Sequence, residues 1–258
     1  MTASTRFSAT LHIQNLNAIL IPSPPRLESE LLFIRQQETL LAQRECWESN
    51  ISEIQAPGWL LKSPRPILWI GGRKNRRGVT WVSSFTLDLV EALQMESSTQ
   101  VVYILCNSGN EDGSIGPLQI FKRLIVNLLN AYPETVLVPE NLNDLSLQRF
   151  RGVGESPEVA YKLLADILMM VDMQCQRNGQ ELFVLVDRVD MVLRMEHLQE
   201  RQRFLRALRR LSLTCHTLRF VVTSQYLVEE LEIKMEDKDD LMEVWVDTTK
   251  PSPMQSRQ

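Results

Sequence analysis

No apolar stretch in the chain approaches the roughly 20 residues that a membrane-crossing helix requires, so a membrane partner is not expected. The first twenty residues, MTASTRFSATLHIQNLNAIL, lack the continuous apolar core of a secretory signal, and a cytoplasmic location is expected. Cysteine is sparse and scattered. Cys46, Cys106, Cys175 and Cys215 form no CxxC pair, which argues against a metal or disulfide framework and for reduced, buried thiols. His12, His197 and His216 stand apart from one another and from the cysteines, and neither a Gly-x-Ser-x-Gly elbow nor a His-Glu-x-x-His helix is present. A formal charge of -4 gives no global attraction to nucleic acid, which is not expected as a partner.

What the 258 residues do contain is apolar material, 44% of the chain, against 23% charged, enough for a sizeable core. Short apolar runs at 67–70, 101–106, 182–186, 218–222 and 243–246 read as buried strands. Between them, 80–94, 117–131, 157–177 and 197–212 carry helical periodicity, with 133–155 loop-like and a short helix within 226–235. Pro117 suits a first helical turn, and Ser156 before Pro157 suits an N-cap. Continuous apolar strands alternating with helices predict an α/β fold: a five-stranded, mostly parallel sheet with helices on both faces. The expected organisation is a disordered N-terminal arm over 1–27, a helical extension over 28–63, the α/β domain over 64–247 and a disordered tail over 248–258. Ligands in such sheets bind beyond the carboxyl ends of the strands.

The loop after the first strand reads GGRKNRRGVT. Strand, glycine loop and helix is the setting of a phosphate-binding P-loop, GxxxxGK[ST]. Counted from Gly72, Arg77, Gly78 and Val79 fall on the second glycine, the lysine and the hydroxyl. One extra loop residue lets Gly78 and Thr80 serve as glycine and hydroxyl, with Val79 in the lysine slot. Neither register supplies a lysine. A lysine about 4 Å from a phosphate contributes roughly 4 kcal/mol at an effective dielectric near 20. Its loss weakens binding about a thousandfold. Arg76 and Arg77 are the candidates to replace it, and the bland alternative is a solvated basic loop.

The third strand ends in Asp187, with Asp190 three positions on, in LFVLVDRVDM. A carboxylate there can hold Mg²⁺, and a second can polarise an attacking water. Either can equally cap the following turn. Thr223 and Ser224 end the fourth strand, where hydroxyls either sense a phosphate or cap a turn. The leucines and arginines of RQRFLRALRRL fit a core stripe with a solvated basic face.

Taken in order, ILWIGGRKNRRGVT, VVYILCNSGN, LFVLVDRVDM and LRFVVTSQ resemble the NACHT-like signal-transduction P-loop NTPases of fungal NOD-like proteins. The resemblance implies a switch module that binds ATP or GTP with Mg²⁺ through Gly72, Thr80, Asp187, Asp190, Thr223 and Ser224. Three departures stand out. The loop lysine is missing, Met191 follows Asp190 in place of an acid, and Gln225 follows Ser224 in place of an arginine. Each removes charge used in phosphoryl chemistry. The expectation is therefore a degenerate switch or scaffold acting through protein partners, without efficient hydrolysis. The alternatives are an active NTPase using Arg76 or Arg77, or a scaffold for an acidic or phosphorylated partner.

Overall fold

The computed structural model describes residues 3–21, 31, 34, 67–72, 81–106, 116–136, 138, 141, 145–154, 156–194, 196–231 and 241–246. Five strands form one sheet: β1 (Ile67–Gly72), β2 (Thr99–Leu105), β3 (Glu181–Asp187), β4 (Leu218–Ser224) and β5 (Leu241–Val246), in the order β2-β3-β4-β1-β5. Every pairing is parallel. The expected sheet is present, and its central strands carry continuous apolar runs, 182–186 and 220–222, because both faces are covered.

Successive residues of a strand point to opposite faces, so each strand feeds two cores. Leu68, Ile70, Phe183, Leu185 and Val221 pack under helix α2 (Val82–Met95). Ile67, Trp69, Val102, Ile104, Val184, Val186, Phe220 and Val222 face the opposite layer. That layer holds α3 (Pro117–Ala131), α6 (Pro157–Asn178) and α8 (Leu198–Thr214). Two short helices, α4 (Pro133–Val136) and α5 (Leu147–Gly152), lie between α3 and α6, where sequence periodicity suggested only a loop. A four-residue helix α7 (Asp190–Leu193) follows β3, and a single 3₁₀ turn, Glu229–Leu231, stands where a short helix was expected.

The caps are chemically ordinary. Ser156 Oγ accepts from Val159 N at 3.2 Å at the start of α6, as its position before Pro157 predicts. Gly179 closes the same helix at φ 64°, a conformation costly for any side chain.

One expectation fails. Residues 3–20 were expected as a disordered arm and instead form an α-helix, α1 (Ala3–Leu20). Ile13, Leu16 and Leu20 are spaced three and four apart and are buried against the α3 layer. Asn17 Nδ2 also donates to Asn130 Oδ1 at 2.8 Å. The prolines that suggested an arm lie at 22–25, beyond this helix and outside the described residues. Leu31 and Ile34, within the expected helical extension, are helical, and Ile34 packs against Leu87 and Leu105 on the α2 side.

Candidate functional site

Parallel pairing brings the carboxyl ends of β1, β3 and β4 side by side, with Gly71 opposite Ser224 and Val186 opposite Val222. The segments containing Gly72, Asp187 and Thr223 therefore converge, as the sequence pattern predicts. Arg76, Arg77, Gly78 and Thr80 lie outside the described residues.

Asp187 is fully buried and surrounded by hydroxyls. Thr223 Oγ1 donates to Oδ1 at 2.7 Å, and Ser83 Oγ donates to Oδ2 at 2.8 Å. Thr86 Oγ1 lies 3.0 Å from Oδ1 and 2.9 Å from the Val82 carbonyl. An ionised carboxylate has about four lone-pair positions, and three hydroxyls at this distance occupy most of them. Burial pushes the Asp187 carboxyl above its ordinary range, opposed by the Thr223 hydrogen bond, the Arg188 charge and the Ser83 and Thr86 hydrogen bonds. Among the described residues no group of three or more His, Cys, Asp or Glu is placed to hold a metal ion. As a candidate Mg²⁺ ligand, Asp187 thus offers few open positions and, among the described residues, belongs to no cluster of acids placed to share the ion.

Asp190 is equally committed. The Arg188 guanidinium grips it as a fork, with Nε 3.1 Å from Oδ1 and Nη2 3.0 Å from Oδ2, and the Gln225 backbone N–H adds a bond of 3.1 Å to Oδ1. Both side chains are buried, at 7% and 1% exposure. Arg188 sits at φ 52°, a left-handed backbone rarely adopted by long side chains. That turn is stitched to β4 by two backbone donors: Arg188 N to Thr223 Oγ1 at 3.1 Å and Val189 N to the Thr223 carbonyl at 3.0 Å. An acid that would polarise water is here one half of a buried ion pair. Ser224 Oγ accepts from Tyr226 N at 3.0 Å, the turn-capping role of a strand-end hydroxyl.

Gly72 has a packing reason to lack a side chain. A Cβ there would stand 2.2 Å from the Trp81 ring, so the indole lies directly on the glycine backbone. Trp81 is buried, meets Phe85 edge-on at 5.9 Å between ring centres, and its Nε1 has no hydrogen-bond partner among the described residues. Gln225 Nε2, next to the end of β4, is likewise buried without a partner among the described residues.

Sequence reasoning missed Ser83, Thr86, Arg188 and Trp81. The signal for the first two was present: WVSSFT places the hydroxyls of Ser83 and Thr86 at i and i+3 of a helix start, on one face toward the strand that ends in Asp187. Arg188, between the two acids of DRVD, was readable as their counter-ion.

No family model and no curated protein matches the sequence. Among solved structures, the chain is similar to a Walker-type ATPase of Pyrococcus abyssi, with 16% identity and a TM-score of 0.43 over 80% of this chain and 53% of that one. It is similar to the Aeropyrum pernix ORC1 protein in complex with DNA, with 17% identity and a TM-score of 0.38 over 89% of this chain and 48% of that one. It is also similar to Drosophila ORC bound to AT-rich DNA and Cdc6, with 12% identity and a TM-score of 0.38 over 100% of this chain and 65% of that one. The chain therefore spans from about half to just under two thirds of the chains it matches.

Proposed function

We propose that the chain is a nucleotide-binding-type α/β domain of the NACHT-like kind whose phosphate-side groups have turned inward. In this reading it binds ATP or GTP weakly, hydrolyses neither efficiently, and acts in intracellular signalling through protein contacts. The observation that supports it most is the commitment of both candidate acids: Asp187 to Ser83, Thr86 and Thr223, and Asp190 to Arg188 and Gln225. Phosphoryl transfer on this plan uses a strand-end carboxylate at the Mg²⁺ and a further polar side chain, here the candidate Asp190, to orient the attacking water. Releasing Asp190 would mean breaking a buried ion pair, which costs about 3–5 kcal/mol when one partner is left alone. The missing loop lysine acts in the same direction.

Isothermal calorimetry with ATP and with GTP, each with and without Mg²⁺, tests the reading. The expected outcome is affinity no tighter than about millimolar and no gain from Mg²⁺. Micromolar, Mg²⁺-dependent binding followed by turnover that is lost in Asp187→Ala would instead establish an active NTPase.

A further inference from the structure

A cavity of about 230 Å³, lined by none of the residues at the ends of β1, β3 and β4, opens between the first turns of α3 and α6 and one side of α8. Its apolar part is aromatic. Phe121 stacks on Phe204 with centres 5.6 Å apart, and Tyr161 tilts against Phe121 at 6.3 Å. Its charged part is Arg203, Arg206 and Arg210, one turn apart along α8, with Glu158 and Glu200. All three arginines are exposed. Arg203 Nη1 bonds Glu200 Oε1 at 2.6 Å, and the lining residues carry three arginines against two glutamates. The Tyr161 hydroxyl makes no hydrogen bond among the described residues, and the Arg210 charge lies near it. Pro117 and Pro157 put two helix starts at the same opening, adding positive potential from the backbone.

The dimensions select the occupant. Small-ligand pockets run from about 300 Å³ upward, so this cavity is small for a nucleotide and suits one aromatic side chain. The arginines from 203 to 210 span about 10 Å of helix, the length of some three extended residues. Aromatic anchors beside arginines are the usual composition of an interface centre. From this arrangement we infer that the α3–α6–α8 cavity is a docking site for an acidic segment of a partner protein. One aromatic side chain of the segment enters between Phe121, Tyr161 and Phe204, and its flanking carboxylates meet Arg210 and the rest of the arginine row. The site rests on the reading that the domain works through protein contacts, and nucleotide titration reports on that reading separately.

The test is fluorescence anisotropy on the full chain with a labelled peptide in which tryptophan is flanked on each side by glutamates. Saturable binding is expected, weakened at least about tenfold by Arg210→Glu, by Ala207→Trp, which fills the cavity, and by alanine in place of the peptide's tryptophan. Arg210 is exposed and Arg210→Glu is expected to leave the fold intact, so it stands as the readout should Ala207→Trp misfold. Absence of saturable binding would overturn the inference. So would equal binding of the alanine peptide, or competition by indole-3-acetate alone as strong as the peptide's own, which would mark a small-molecule pocket.

Discussion

Asp187 has no surface in water, and its oxygens are met by the hydroxyls of Ser83, Thr86 and Thr223. Removing the acceptor strands two buried donors, Ser83 and Thr223, while Thr86 keeps the Val82 carbonyl, so Asp187→Ala is expected to cost about 3 kcal/mol, read as a lower urea midpoint. Asp187→Asn keeps an acceptor and lets a hydroxyl turn to accept from the amide, and it should fold. The pH dependence follows from the direction of the shift. A carboxyl raised by burial above 3.8 adds stability that is fully present below that value and is lost as pH rises through its folded value. The asparagine variant lacks this loss. Urea midpoints across the acid range should therefore move in favour of Asp187→Asn as pH rises. A wild-type protein gaining on the variant would show that the hydroxyls, not desolvation, govern the group.

At the scale of elements, strands and long helices were legible because burial on both faces leaves unbroken apolar runs, as in LFVLVD, while amphipathic stretches such as QIFKRLIVNLL keep a helical period. Helix α1 was not, since its N-terminal half is rich in serine and threonine and only Ile13, Leu16 and Leu20 carry the buried face. The grouping of Asp187 and Thr223 followed from placing each at the carboxyl end of a strand in a parallel sheet. The partners of the acids did not, because Ser83 and Thr86 come from a helix and Arg188 reaches Asp190 only through a left-handed turn that sequence does not announce. The packing of α1 is testable. Leu16 is 0% exposed, so Leu16→Ala should cost about 2–4 kcal/mol in urea unfolding. A change below about 0.5 kcal/mol would mean that α1 does not hold its place on the α3 layer.

The molecule carries buried ionisable groups at both ends of its sheet. At the carboxyl end stand Asp187 and Asp190. At the amino end, Asp172 accepts from Thr217 N at 2.7 Å, Thr217 Oγ1 at 2.6 Å and His216 N at 3.2 Å, tying α6 to the start of β4. Cys175 and Cys215 lie in this region. Burial first, and then the Asp172 charge, push their thiols up to about 11 and about 12. Burial likewise pushes the Tyr132 hydroxyl up. An unfolded thiol ionises near 9.0, whereas these keep their protons in the fold. Their contribution is thus fully present below pH 9.0 and is lost as pH rises through about 11 and about 12. Unfolding in reducing buffer should show stability falling above pH 9.0, through groups far from the candidate site. A variant carrying Cys175→Ala and Cys215→Ala should begin less stable, because two buried sulfurs are gone, yet fall less steeply over the same range. Parallel slopes for the two proteins would assign the alkaline loss to Tyr132 and the surface charge, and would mean that the amino end of the sheet admits water to its thiols.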